Sequence, residues 1–156
     1  MKEISTSSGL GGILNGFRNL VKESKRITFV GTPGFCTPFA ELVAFPIKDA
    51  GKELAYIANF DFDSAKKVVF TSHGMQLSET TDATADTAVL FGGLAMPKIG
   101  VDANAVKSMI DKRILVNGGT TIGVSFMSIF KQMGWYDIID FDYVIDTDTS
   151  VRILEK

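Results

Sequence analysis

Arg26-Ile27-Thr28-Phe29-Val30-Gly31-Thr32-Pro33-Gly34-Phe35-Cys36-Thr37-Pro38 decides how the chain is read. Ile27, Phe29 and Val30 are β-branched or aromatic, and with Thr28 between them they suit a buried strand. Gly31, Pro33 and Gly34 break that strand. Thr37 before Pro38 signals a helix start: the hydroxyl can accept from unpaired amides, and proline at the first helical position loses nothing. Ala40, Leu42, Val43, Ala44 and Ile47 carry the helix on, and Pro46 kinks or ends it. A strand, a glycine turn and a helix start make a candidate anion site, because glycine admits a ligand close to the backbone and the amides there carry partial positive charge. Cys36 lies in the turn. It reads either as a thiol with a lowered pKa or as a small buried residue under the turn.

Working outward, Leu10, Ile13, Leu14, Phe17, Leu20 and Val21 form one helical stripe, capped by Ser7 or Ser8 and running to about Lys22. Gly9-Leu10-Gly11-Gly12 precedes any strand and so is no dinucleotide fingerprint. Leu54 to Phe60 and Val68 to Ser72 read as the second and third strands. Their connector is too short for a parallel crossover, so they run antiparallel or are not neighbours. Ser78 to Thr87 reads as a polar loop, then Thr87 to Gly92 as a strand covered on both faces. Asp102 caps a helix carrying Ala105, Val106, Met109 and Ile110. Ile114 to Val116 is expected as the fifth strand. Asn117-Gly118-Gly119-Thr120-Thr121 is expected to turn it into a helix from Ile122 to Met133. Ile138 to Ile145 is expected as a sixth strand, and Asp146 to Ser150 as a hairpin loop. Val151 to Leu154 would then be an edge strand or a dimer-pairing arm.

This alternation predicts one α/β domain over residues 1–156, a three-layer Rossmann-like sandwich with a mixed, mostly parallel sheet and antiparallel edge strands. The length and the 46% apolar content suit a sizeable core. A net charge of −2 without a basic run argues against nucleic acid or an anionic membrane as partner. One cysteine excludes an intrachain disulfide framework and fits a reducing cytoplasm. No signal-peptide block or membrane-spanning run is present.

Ligands of such folds bind beyond the carboxyl ends of parallel strands. The loops that qualify by chemistry contain Gly31, Thr32, Gly34 and Thr37; Ser72, His73 and Gly74; Gly92 and Gly93; and Asn117, Gly118, Gly119, Thr120 and Thr121. If they converge, they offer amides, hydroxyls, one thiol and one imidazole beside an aromatic wall such as Phe35. None is a phosphate-binding P-loop, and each has a purely structural reading as a tight turn. Cys36 and His73 are the only thiol and imidazole in the chain, which makes a thiolate–imidazolium couple a second candidate. Asp61, Asp63, Asp140, Asp142, Asp146 and Asp148 read as wet strand faces and ends rather than metal ligands. No residue pattern names a cofactor.

Ile27 to Phe39, Phe70-Thr71-Ser72-His73-Gly74-Met75 and Phe91-Gly92-Gly93-Leu94-Ala95-Met96-Pro97 resemble an uncharacterised archaeal family, mainly of methanogens, known only as a domain of unknown function. The resemblance implies an archaeal cytoplasmic protein and transfers no catalytic residue. Three readings stand at this point. The first is a binder of a small anionic ligand, nucleotide- or cofactor-like, at the glycine turns. The second is a thiol-dependent enzyme using Cys36 and His73. The third is a non-enzymatic homo-oligomeric assembly module.

Overall fold

The β-branched and aromatic runs form the sheet, and the segments between them cover it. A computed structural model describes all residues, Met1–Lys156. The strands are β1 (Arg26–Gly31), β2 (Glu53–Ala58), β3 (Lys66–Thr71), β4 (Gly74–Thr80), β5 (Thr87–Phe91), β6 (Thr120–Phe126) and β7 (Tyr143–Thr147). They make one seven-stranded sheet in the order β4-β3-β2-β1-β5-β6-β7. β2, β1, β5, β6 and β7 run parallel, whereas β3 is antiparallel to β2 and β4 to β3. The mixed, mostly parallel α/β sheet expected from the sequence is therefore the one that forms, with its antiparallel strands gathered at one edge.

Helices lie on both faces, giving three layers. On one face, α1 (Gly9–Leu20) and α2 (Thr37–Ala44) bury Ile13, Phe17, Ala40 and Val43 against Ile27, Phe29, Tyr56 and Val89. On the other, α3 (Ala103–Met109), the π-helical turn Ile110–Ile114 and α4 (Ile129–Gln132) pack against Val30, Ile57, Ala88 and Leu90. β5 is buried at every position, as its unbroken apolar run requires. Asp102 caps α3 as expected, its carboxylate accepting from the Asn104 amide at 3.0 Å. Pro46 falls where α2 gives way to the 3₁₀ turn Phe45–Ile47.

Four local expectations are corrected. The polar stretch from Ser78 to Thr87 is not all loop: Ser78 to Thr80 end β4, which spans Gly74–Thr80 and pairs with β3 as a hairpin. Ile114-Leu115-Val116 is no strand, because Ile114 closes the π-helical turn and Leu115 caps it. Thr120–Phe126 is strand rather than helix. The last stretch forms no hairpin: β7 pairs in parallel with β6, and the chain after Thr147 has no regular structure.

Candidate functional site

The order of the parallel strands reverses between β1 and β5. β1 connects outward to β2 on one side, and β5 to β6 on the other. The connections therefore diverge above those two carboxyl ends and leave a crevice, which is where open α/β sheets hold ligands. A cleft of about 430 Å³ opens there, a size typical of small-molecule sites. Its walls are Phe35, Phe39, Phe126, Val124 and Ile129, with Phe91, Gly92 and Gly93 at the end of β5. The rings of Phe35 and Phe39 lie 6.0 Å apart, and those of Phe39 and Phe126 5.1 Å. Phe35 and Met96 are 59% and 41% exposed, so the apolar wall faces solvent.

Beside the cleft, the glycines of two strand ends close around the cysteine. Cys36 is 2% exposed. A Cβ at Gly31 would lie 2.4 Å from Cys36 Cβ, and one at Gly93 would lie 2.5 Å from its Sγ. The thiol sits 3.2 Å from Thr32 Oγ1, and Tyr56 Oη donates to the Thr32 carbonyl at 2.8 Å. Burial pushes the Tyr56 phenol up to about 12. The amides of Phe35 and Cys36 bond to the Pro33 and Thr32 carbonyls. Thr37 begins α2 but does not cap it; Cys36 holds the cap position, and no side chain bonds there. Gly34 alone needs its glycine for the turn itself, at φ +75° with open space around it.

The other predicted corners lie elsewhere. Asn117 to Thr121 leads into β6, so it stands at the amino edge of the sheet, across its full height from Gly31 and Gly92. Two of the nitrogens nearest β6 are already engaged. Thr120 N donates to the Asp86 carbonyl at 2.9 Å, and Thr121 N to the Asp142 carboxylate at 2.8 Å. Gly118 and Gly119 take φ +78° and +152°, and a Cβ at Gly119 would lie 2.3 Å from the Asp86 carbonyl oxygen. That corner is built for its turn and carries acidic neighbours. His73 sits in the β3–β4 turn. β3 runs opposite to β2, so this turn is also at the amino edge and the imidazole does not meet Cys36. Gly31, Thr32, Gly34, Thr37, Gly92 and Gly93 thus come together, whereas His73 and Asn117 to Thr121 do not join them. No group of three His, Cys, Asp or Glu side chains is placed to hold a metal ion, and no helix is long and apolar enough to cross a membrane.

Residues 8–150 match the family described as an uncharacterized protein conserved in archaea, DUF2124. The chain belongs to that family. An uncharacterized protein of Methanothermobacter thermautotrophicus is 40% identical over 154 residues, covering 99% of each chain. One of Methanocaldococcus jannaschii is 42% identical over 159 residues, covering 100% of this chain and 96% of its own. A crystal structure of a protein of unknown function from M. thermautotrophicus superposes with a TM-score of 0.91 at 36% identity, covering 100% of this chain and 99% of that one.

In this DUF2124 chain the cleft residues Phe126 and Ile129 flank a turn that the expected helix from Ile122 to Met133 does not contain. Met127 and Ser128, which follow β6, are consecutive non-glycine residues at φ +56° and +55°. Asp146 on β7 holds them there, accepting from Ser125 Oγ at 2.7 Å, Ser128 N at 3.1 Å and Ser128 Oγ. Two adjacent left-handed residues cost free energy, and the carboxylate offsets it. The clamp leaves Met127 57% exposed at the carboxyl edge. The period-two pattern of Thr121, Gly123 and Ser125 against Ile122, Val124 and Phe126 was the available signal for this strand.

Proposed function

We propose that this archaeal α/β protein binds a small ligand with a flat apolar body and an anionic group, nucleotide- or cofactor-like, in the cleft above β1 and β5. The observation that carries this is the aromatic wall Phe35–Phe39–Phe126 standing open at the point where the strand order reverses. Flat aromatic ligands stack on such walls. No lysine or arginine lines the cleft. A negative group would therefore rely on backbone around Gly92, Gly93 and the start of α2, as at other helix starts. The rings rather than the glycines form the contact surface, because Gly31 and Gly93 are occupied by accommodating Cys36. We place the protein in the cytoplasm, acting as a single domain, on the strength of its one free cysteine and modest charge.

The test is thermal shift against flavins, nucleotides and sugar phosphates. A ligand at about a hundred times its Kd should raise Tm by roughly 5–10 °C. Phe35→Ala, at an exposed position, should remove the shift without lowering the unliganded Tm. Sugar phosphates stabilising the protein as well as aromatic ligands would remove the role of the wall. No stabilisation by any class at millimolar concentration would remove the reading. The thiol-enzyme reading has less support, because the sulfur is buried and the only imidazole is at the opposite edge.

A further inference from the structure

A second cavity, of about 320 Å³, opens on the sheet face that carries α3 and shares no lining residue with the cleft. Its walls are pinned by hydrogen bonds. The Ala83 carbonyl accepts from Thr28 Oγ1 at 2.8 Å, and Ala85 N donates to the Ile114 carbonyl at 2.9 Å. Leu115 N closes the π-helical turn onto the Ile110 carbonyl at 2.8 Å. Such turns are rare and gather at functional sites. This one brings Lys112 and Arg113, consecutive in sequence, to the same cavity. The charges there are unevenly matched. Asp82 is satisfied, because Thr84 N and Oγ1 donate to it at 3.1 and 3.0 Å and Arg26 pairs with it at 3.4 Å. The ion pairs of the chain engage Arg26, Lys48, Lys67 and Lys107 and leave Lys112, Arg113 and Asp63 without a partner. Two free cations against one free carboxylate give the cavity a positive excess.

We propose that this cavity is a second binding site, for a compact anion carrying a carboxylate or phosphate group, with the Arg113 guanidinium and Lys112 Nζ as its donors. A lone exposed cation is simply solvated. Here a concavity with fixed walls, of a size that holds a small molecule, sets two of them around one space. Arg113 is already partly ordered, its guanidinium carbon standing 4.4 Å from the centroid of the Phe62 ring. An arginine held on an aromatic face loses little further freedom when its N–H fork takes an oxyanion, and the fork can bind two oxygens at once. Lysine adds a point charge beside it. Asp63 limits how much negative charge the cavity accepts, which favours a single carboxylate or phosphate over a polyanion. The apolar surface of Val116 and Phe62 leaves room for a short carbon body. The site stands independently of the cleft reading.

The test is isothermal titration calorimetry of the full chain with inorganic phosphate and with succinate, each at constant ionic strength. At least one should bind with a Kd of about 1 mM or tighter, and the better of the two tells phosphate from carboxylate recognition. Lys112→Gln/Arg113→Gln should weaken that binding about tenfold or more. Lys22→Gln/Lys98→Gln removes the same charge from exposed positions elsewhere and should change it by less than about twofold, since distant exposed charges are screened. Asp63→Asn should tighten it by about two- to fourfold, as loss of a like charge several ångströms away does in water. All these residues are exposed, so circular dichroism should be unchanged. Binding of neither probe at about 10 mM, equal weakening by the two lysine-containing pairs, or weaker binding in Asp63→Asn would each overturn the proposal. Phe35→Ala should leave phosphate and succinate binding intact while removing the ligand shifts of the cleft. Each site can therefore fail alone, and a sugar-phosphate shift that disappears in Lys112→Gln/Arg113→Gln belongs to this cavity.

Discussion

A methyl group added at Gly93 would sit 2.5 Å from Cys36 Sγ, 3.2 Å from Thr32 Oγ1 and 3.5 Å from Phe35 Cδ1. Only the first contact is prohibitive, and it is with a single atom that a second substitution can delete. Gly93→Ala should destabilise by about 2 kcal/mol, as overpacking of a tight interior does. Cys36→Ala should cost about 1 kcal/mol for the lost burial of its sulfur. In the double variant the new methyl takes the vacated space. The alanine also restricts the unfolded chain, which favours folding by about 0.4–1 kcal/mol. The pair should then lie within about 1 kcal/mol of the parent, a coupling of about 2 kcal/mol. Gly31→Ala supplies the control. Its methyl would meet Cys36 Cβ at 2.4 Å, an atom alanine keeps, so Cys36→Ala should not rescue it. Urea denaturation of the parent, the three single variants and the two pairs measures both couplings. Additivity of Gly93→Ala and Cys36→Ala within about 0.5 kcal/mol, or a Gly93→Ala protein as stable as the parent, would refute the claim that these glycines make room for the thiol.

Tyr56 gives a pH signature. Its folded pKa is raised by burial to about 12, so the unfolded chain ionises first. The stability it supports is complete below pH 10 and lost as pH rises towards 12. Tyr56→Phe should flatten that part of the stability–pH curve while losing about 1 kcal/mol with the Thr32 hydrogen bond, and parallel denaturation curves would show it. Met127→Gly relieves one left-handed residue at an exposed site, and calorimetry should find a gain of about 0.5–1 kcal/mol. Gly119→Ala forces a methyl into the Asp86 carbonyl at an adverse φ. It should cost about 3 kcal/mol or more in chemical denaturation, with ligand shifts unchanged in whatever protein folds.

The part of the fold legible in the sequence was the part whose burial is simplest. β1 and β5 are covered on both faces; β5 reads as a continuous apolar run, and β1 as one broken only by Thr28. The short connector after β2 excludes a parallel neighbour and leaves an antiparallel one or none; the antiparallel pair is what forms. β4 was missed because it is a sheet edge: only Met75 is buried and Leu77 partly so, while Gln76, Glu79 and Thr80 are exposed. Ile114 to Val116 reads as a strand because a short apolar run has no period that separates it from a helix end. A strand ending before Asn117 makes the glycine corner follow a strand, whereas the real strand, Thr120–Phe126, comes after the corner. The corner was thereby set at the wrong edge of the sheet. At the candidate site, Gly31, Gly92 and Phe35 stand at the same edge of the sheet. The Phe39–Phe126 wall required knowing that β6 ends beside α2, which no local pattern states.

The β3–β4 turn, with its exposed imidazole, points away from the cleft proposed to recognise a ligand. His73 has its amide held by Thr71 Oγ1 at 3.0 Å, and no other histidine exists in the chain. A dye, a surface linker or an inserted tag placed in that bend would hold the molecule by its base and leave the cleft facing bulk solution.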